Sequence, residues 1–129
     1  MADRVADEDL LYRRLSWAQV NPDGTVNSSA YKTPSRERRS RGEYDISISV
    51  ELARLTTPEA TLSHANRPGG GVGMLIARDP RRLGFEVRHD PLPDNDAHAL
   101  IEGENNRGKS RQLAHMTKLL IAPQPPADL

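Results

Sequence analysis

Residues 89–98 concentrate side chains that could bind a metal ion or transfer protons, because two histidines and three aspartates fall within ten positions. Histidine and carboxylate groups are common protein ligands of zinc, manganese and iron, and a histidine pair can also serve as general acid and base. His89 and His98 are therefore the candidate catalytic residues, and His89, Asp94 and His98 the candidate metal ligands. No second cluster in the sequence would complete a coordination sphere. The composition of the segment favours a solvated loop shaped by turn-forming residues, with no bound metal or cofactor.

Residues 103–110 have the sequence GENNRGKS and fit the pattern G-x-x-x-x-G-K-[ST]. The segment lies between a predicted strand and a predicted helix, where backbone N–H groups and a helix N-terminus can surround phosphate oxygens. Over these eight residues the chain resembles the P-loop NTPases. The resemblance implies that Gly103 and Gly108 belong to a phosphate-binding backbone, that Lys109 reaches the outer phosphates and that Ser110 ligates magnesium.

Three features of the sequence argue against nucleotide hydrolysis at this segment. Only 19 residues follow Ser110, which is too few for the strand that carries the magnesium-binding aspartate in that family. No series of strand–helix units precedes the segment, and Glu104 places a negative charge where a phosphate would lie. We therefore expect a turn at the start of a helix, with Lys109 in solvent. A simple anion contact at this turn is the second interpretation.

A third set of candidate residues consists of Arg13 or Arg14, the SIS of residues 47–49 and the EGE of residues 102–104. In this order they resemble the arginine, Ser-x-Ser and Glu-x-Glu elements of the ADP-ribosyltransferases. The stretch between the first two elements is too short for the helices that the resemblance implies there. The alternating serines are already explained by a strand with one exposed face.

Residues 32–42 could bind an anionic partner through their charge. The segment KTPSRERRSRG carries five basic residues and one acidic residue, and it has no large apolar side chain to anchor it in a core. It therefore predicts a flexible surface loop. Arginine binds phosphate and carboxylate groups through paired hydrogen bonds. The candidate partner-binding residues of the loop are Arg36, Arg38, Arg39 and Arg41, and a second basic set on the last predicted helix consists of Arg107, Lys109, Arg111 and Lys118.

The composition limits the classes of function. The chain has 129 residues with 18 basic and 18 acidic side chains, and its zero net charge disfavours general binding to nucleic acid or to a membrane surface. It contains no cysteine, which excludes disulfide scaffolds, thiolate zinc sites and thiol catalysis. No apolar run approaches the length of a membrane span, and the first residues lack the layout of a secretion signal. A cytoplasmic protein with one small domain is expected.

The elements that must position these residues follow from periodicity and capping signals. In residues 44–50, a tyrosine, two isoleucines and a valine alternate with polar side chains, which is typical of a strand with one buried face. Thr57 and Pro58 have the residue types of a helix N-cap and a first helical position. The predicted strands comprise residues 10–15, 44–50, 72–77, 85–88 and 97–102, and the predicted helical segments comprise residues 16–20, 58–65, 79–83 and 109–121.

Together these elements predict an α+β fold, with a small mixed, largely antiparallel sheet of four to five short strands. One main C-terminal helix and short helical turns are expected to cover the sheet. Residues 1–9 are predicted to form a flexible arm, residues 10–122 a single domain with a disordered basic loop at 32–43, and residues 123–129 a disordered tail. The few large residues assigned to the core include Trp17, Phe85, Met74 and Met116.

The scarcity of catalytic groups and the charged loops favour a non-enzymatic interaction or regulatory module. It would bind a protein or phosphate-bearing partner through residues 32–41 and 103–118. A protein partner is expected, nucleic acid is disfavoured by the net charge, no membrane partner is expected, and the small core is compatible with self-association. The alternative is a small enzyme or nucleotide binder that acts on a phosphorylated or nucleotide substrate through residues 103–110 and 89–98. Only this alternative requires the two segments to converge on one cleft.

Overall fold

A computed structural model of the protein describes residues 2–64 and 69–126. Within these ranges, six strands form one sheet in which every pairing is antiparallel. In chain order the strands are β1 (Leu10–Leu15), β2 (Asp45–Leu52), β3 (Gly71–Ile76), β4 (Glu86–His89), β5 (His98–Glu104) and β6 (Lys118–Ile121). Their order across the sheet is β4–β5–β2–β1–β3–β6, so β4 and β6 are the edge strands.

The same part of the chain contains four helices and three short 3₁₀ turns, which confirms the α+β class. The helices are α1 (Arg36–Ser40), α2 (Pro58–Ser63), α3 (Arg78–Arg82) and α4 (Arg107–Met116), and the 3₁₀ turns are Trp17–Gln19, Ser28–Ala30 and Ala53–Leu55. The longest helix is α4, with ten residues. None of the described helices is long and apolar enough to cross a membrane.

The alternation along β2 gives the sheet one buried and one polar face. Ile48 and Val50 are buried, whereas Ser47 and Ser49 are exposed. We call the polar face the outer face. Glu51 continues the polar alternation but is buried, because α2 covers this end of the outer face and binds its carboxylate.

The inner face of the sheet is covered by α4 and by the turn Ser28–Ala30. Leu113 of α4 and Tyr31 are both fully buried in the core. The Tyr31 hydroxyl donates a hydrogen bond of 2.7 Å to Thr117 Oγ1, which in turn donates to the Leu113 carbonyl oxygen at 2.7 Å. The phenol therefore joins the C-terminal end of α4 to the core without leaving its polar atom unpaired.

Tyr31 makes the stability of the fold sensitive to alkaline pH. Burial raises the pKa of its hydroxyl to about 12, although the hydrogen bond with Thr117 and the charge of Arg13 act to lower it. The unfolded chain releases this proton near pH 10. The contribution of the protonated Tyr31 hydroxyl to the free energy of unfolding is therefore complete below that pH and is lost as the pH rises toward 12. Each pH unit in this window costs about 1.4 kcal/mol.

Urea unfolding at pH 8 and pH 11 measures this effect. Between the two pH values, we expect the parent protein to lose about 1.4 kcal/mol more of its unfolding free energy than Tyr31→Phe, because only the parent carries the buried hydroxyl. Because the pH 8 and pH 11 values are compared within each protein, the cost of losing the hydrogen bond with Thr117 in Tyr31→Phe cancels. An identical pH dependence in the two proteins would contradict the burial of the Tyr31 hydroxyl.

The prediction of a helix over residues 109–121 is wrong in its second half. The helix α4 ends at Met116, and Lys118–Ile121 forms β6. The apolar residues continue a helical period, but β3 offers an unpaired edge that local periodicity does not reveal. Pairing with β6, in which Val72 lies opposite Ile121, satisfies the backbone groups of that edge. The sheet therefore has six described strands instead of four to five.

The basic segment predicted as a disordered loop at residues 32–43 forms the helix α1 at its centre. The Ser35 side chain caps this helix by accepting a hydrogen bond of 3.2 Å from the Arg38 N–H. The Arg38 side chain also donates to the carbonyl oxygen of Asp45 at 2.7 Å. The segment has no large apolar side chain in the core, and the N-cap and this hydrogen bond hold it in place instead.

The N-terminal residues, predicted to form a flexible arm, contact the rest of the domain at Val5. Val5 is buried, and its carbonyl oxygen accepts a hydrogen bond of 2.6 Å from the Arg81 side chain. A single valine among charged residues carries no periodic signal, so its burial could not be predicted from pattern. Of the predicted tail, residues 127–129 lie outside the described residues, and Pro123 in the described part is buried.

Of the large residues assigned to the core, Phe85 is buried, Met74 and Met116 are half-buried, and Trp17 is 45% exposed. Trp17 belongs to the turn Trp17–Gln19, whose predicted capping box is present. No residue of this turn is buried. The assignment of Trp17 to the core is therefore wrong.

Candidate functional site

The predicted phosphate-binding segment forms the junction between β5 and α4. Gly103 belongs to β5, Asn106 is the N-cap of α4, and Gly108, Lys109 and Ser110 lie in the first helical turn. The Asn106 side chain accepts a hydrogen bond of 2.9 Å from the Lys109 N–H. The segment thus has the strand–turn–helix context that its pattern requires.

The side chains of Lys109 and Ser110 in this segment are bound to other groups of the protein itself. Ser110 is buried, and its hydroxyl donates to the Tyr31 carbonyl oxygen and accepts a hydrogen bond of 2.9 Å from Asn105 Nδ2. Lys109 Nζ donates to the Glu104 carbonyl oxygen at 3.0 Å. The groups that would contact phosphate and magnesium in a P-loop are therefore engaged in holding the junction together.

The four candidate arginines around α1 differ in how far their charges are compensated. Arg41 pairs with two neighbouring glutamates, at 3.2 and 2.9 Å. Arg38 uses its guanidinium to bind the Asp45 carbonyl oxygen. Arg36 is exposed and Arg39 is half-buried, and neither forms an ion pair with the described residues. Arg36 and Arg39 are thus the members of the set best placed to attract an anion.

The basic segment and the start of α4 lie at the same end of the sheet. Asp45, whose carbonyl oxygen binds Arg38, pairs with Glu104 two residues before the N-cap of α4. Asn105 Nδ2 also donates to the Lys32 carbonyl oxygen at 3.1 Å. The structure therefore brings together two basic segments that are about 70 residues apart in the sequence.

A groove of about 440 Å³ lies between α4 and the turn at residues 21–28. Arg111 and His115, one helical turn apart, line it from α4, and the turn contributes polar residues that include Asn27 and Ser28. Both Arg111 and His115 are exposed and form no ion pair in the described part of the chain. The sequence indicated Arg111 as a member of the basic set on the last helix, but no sequence signal indicated the turn that faces it.

His89 and His98 lie on opposite faces of the sheet. His89 pairs with Ala99, so the preceding residue His98 must point the other way. His89 is buried, and both of its ring nitrogens are occupied: Nδ1 accepts from the Asp3 N–H at 2.8 Å, and Nε2 donates to the Asp96 carbonyl oxygen at 2.6 Å. The structure therefore does not bring the two histidines together as a pair.

His98 takes part in a different constellation on the outer face. Its Nδ1 lies 3.0 Å from the carbonyl oxygen and 3.1 Å from the Oδ2 of Asp90, so in the neutral ring Nδ1 carries the proton. Nε2 then presents its lone pair to the exposed Ser49 hydroxyl at 3.2 Å. Arg88, whose pKa is raised by its hydrogen bond to Glu102 and by the nearby charges, also contacts Asp90 at 3.3 Å.

A second pair of a histidine and a carboxylate involves the residue opposite His98 on β2. Glu51, the register partner of His98, is buried beneath α2. Its carboxylate accepts hydrogen bonds from His64 Nδ1 at 2.9 Å and Thr61 Oγ1 at 3.1 Å, and lies 3.7 Å from Arg14. No local sequence pattern indicates this group, because its side chains meet only when α2 packs on β2.

The segments predicted for an enzymatic site do not share one cleft. His98 begins β5 and Gly103 lies near its other end, roughly 17 Å away at the rise of a strand. The Arg13 guanidinium is bound by the carbonyl oxygens of Ala30 at 2.9 Å and Ser49 at 3.0 Å, and burial lowers its pKa. Within residues 2–64 and 69–126, no group of three or more histidine, aspartate or glutamate side chains could hold a metal ion.

Comparison with known proteins adds no constraint on function. No protein-family model, no curated protein and no solved structure matches this chain.

Proposed function

We propose that this protein is an interaction module that binds an acidic segment of a protein partner through its basic face. We define the basic face as Arg111 and His115, which line the groove from α4, together with Arg36 and Arg39 around α1, which lies at the end of the sheet where α4 begins. The groove of about 440 Å³ lined by Arg111 and His115 carries the proposal, because it offers a concave surface beside the exposed guanidinium group of Arg111. An extended acidic peptide has the charge and the shape to occupy such a groove.

The distribution of ion pairs supports carboxylate binding at this face. Several arginines outside this face already contact carboxylates, namely Arg14, Arg41, Arg54, Arg81 and Arg88. Among the described residues, Arg36, Arg39 and Arg111 form no such ion pair, and the same holds for Arg78 and Arg82 of α3. A guanidinium without an internal partner gains more from a partner's carboxylate, because no existing ion pair has to be broken.

The same observations favour a protein partner over a nucleotide. Lys109 and Ser110 are engaged within the junction, so a phosphate would have to displace existing hydrogen bonds. The zero net charge of the chain also provides no long-range attraction to nucleic acid. An acidic protein segment needs only a local patch of positive charge.

Charge reversal at two positions of the basic face tests this proposal. In the double variant Arg36→Glu, Arg111→Glu we expect a fluorescent peptide of ten glutamates to bind about tenfold more weakly, because two attractive charges become repulsive. Fluorescence anisotropy at low salt measures the Kd. Binding to the parent protein should weaken as salt is added, since the face is exposed.

Arg78→Glu provides a control at an exposed residue of α3, outside the basic face. Combined with Arg82→Glu, it makes the same change in net charge and should leave peptide binding nearly unchanged. An equal loss in both double variants would show a response to net charge alone and would argue against a defined face. Tighter binding of inorganic polyphosphate than of the glutamate peptide would instead favour a phosphate-bearing partner.

A further inference from the structure

Ser49, His98 and Asp90 have the connectivity of a nucleophile, a base and a carboxylate that orients the base. Asp90 accepts the Nδ1 proton of His98, and Nε2 faces the Ser49 hydroxyl at 3.2 Å. Such sites are recognised by geometry and by the role of each group, not by order in the sequence. We propose that Ser49 is a nucleophile that takes up the acyl group of an uncharged carboxylic ester, with His98 as its general base.

The tautomer of His98 supports the role of a base. Both groups near Nδ1 are acceptors, the carbonyl oxygen and the carboxylate of Asp90, so the ring proton is held on that side. The Nε2 lone pair is thereby directed at Ser49, which is exposed to solvent and to a substrate. His98 is only 15% exposed, so its ring is restrained by the fold while the hydroxyl remains accessible.

The surroundings of Ser49 favour an uncharged ester with an apolar acyl group. Carboxylates outnumber guanidinium groups on this part of the outer face, so an anionic substrate would meet net repulsion. Leu100 lies directly opposite Ser49 and presents apolar surface on the same face. The charged groups are Asp90, Glu102, Glu51, Arg14 and Arg88.

The reaction is an acyl transfer that needs no co-reactant besides the ester. The Ser49 proton passes to His98 Nε2 while Oγ forms a bond to the carbonyl carbon. The bond from that carbon to the alcohol oxygen then breaks, and the departing oxygen takes the proton from Nε2. The products are acyl-Ser49, the free alcohol and neutral His98. Attack by water through the same steps releases the carboxylic acid and restores Ser49.

The position of Ser49 in the middle of β2 sets the speed of this reaction. Backbone amides of a strand lie in the plane of the sheet, so they cannot donate to an oxyanion above the outer face. The absence of one such donor lowers a rate by roughly 10²–10³. Acylation of Ser49 is therefore measured better as covalent labelling than as turnover.

Ser47 provides a matched comparison within the same molecule. It is exposed on the same strand and face, but it lies opposite Glu102 instead of beside His98. Trypsin cleaves after Arg41 and Arg54 and releases both serines in one peptide, residues 42–54. After incubation of the full chain with p-nitrophenyl butyrate, fragment-ion mass spectrometry of this peptide gives the butyrylated fraction at each serine.

We expect at least about tenfold more label on Ser49 than on Ser47, since general base catalysis raises a rate by roughly 10²–10⁴. In His98→Gln, the labelling of Ser49 should fall to the level of Ser47. Equal labelling in the parent protein would overturn the proposal, and this outcome needs no variant to fold. Undiminished Ser49 labelling in folded His98→Gln would do the same. Arg36→Glu with Arg111→Glu should leave the labelling ratio unchanged, which separates this test from that of the basic face.

Discussion

Replacing Gly71 with alanine should lower the free energy of unfolding by at least about 3 kcal/mol and displace β6. A Cβ atom at this position would lie 2.5 Å from the Ile121 carbonyl oxygen and 2.6 to 2.7 Å from the Cδ and N atoms of Pro123. Two of these three atoms belong to the backbone and the third to a rigid ring, so no side-chain rotation relieves the overlap. The C-terminal strand would have to leave its place beside β3.

Gly70→Ala is the matched control, because it adds the same methyl group one residue earlier. Its Cβ would have Leu62 Cδ2 as nearest neighbour at 3.4 Å, which is the flexible end of a side chain. We expect a change below about 0.5 kcal/mol for this variant. Urea unfolding of the two variants measures the difference. Similar losses at both positions would show that the close approach of β6 to β3 is not the cause.

The elements that could be predicted from the sequence are those with local signals. Alternation in residues 44–50 predicted β2, and Thr57 with Pro58 predicted the start of α2, where the Thr57 side chain accepts a hydrogen bond of 3.1 Å from the Ala60 N–H. The strand Lys118–Ile121 could not be predicted in this way. Its residues continue a helical period, and only the distant strand β3 makes the extended conformation favourable.

The sequence indicated single residues of the candidate site, but it did not indicate which residues lie beside one another. His98 was notable as a histidine among aspartates, whereas Ser49 and Glu51 had only the pattern of exposed positions in a strand. The pairing of β2 with β5 places both of them beside His98, although 49 positions separate Ser49 from His98. Local patterns determine which face a residue occupies, but strand pairing determines its neighbours.

Asn105→Ala should lower the free energy of unfolding by about 4 kcal/mol, although the residue lies in a segment that resembles a nucleotide-binding loop. Asn105 is buried, and the two N–H groups of its Nδ2 are shared among three acceptors, the carbonyl oxygens of Tyr31 at 3.3 Å and Lys32 at 3.1 Å and Ser110 Oγ at 2.9 Å. Its Oδ1 accepts from the Asn106 N–H at 2.9 Å. Alanine would leave the Lys32 carbonyl oxygen and the Asn106 N–H unpaired, and each such group costs about 1–3 kcal/mol where it is buried.

Asn106→Ala is the control for this substitution, because it removes the same side chain at the adjacent, exposed position. It deletes the N-cap of α4, and this should cost about 1 kcal/mol. Thermal unfolding should therefore show a midpoint lowered by roughly 15 °C in Asn105→Ala and by a few degrees in Asn106→Ala. Comparable effects in the two variants would contradict the buried network.

The same measurement distinguishes a structural junction from a phosphate site at residues 103–110. A ligand at about 100 times its Kd adds about 2.7 kcal/mol of stability, so bound nucleotide would raise the midpoint by several degrees. We expect no rise with millimolar ATP and magnesium, because Lys109 and Ser110 already bind the Glu104 and Tyr31 carbonyl oxygens. A rise that disappears in Lys109→Ala would show that Lys109 exchanges this hydrogen bond for phosphate, and the junction would then have to be treated as a nucleotide site.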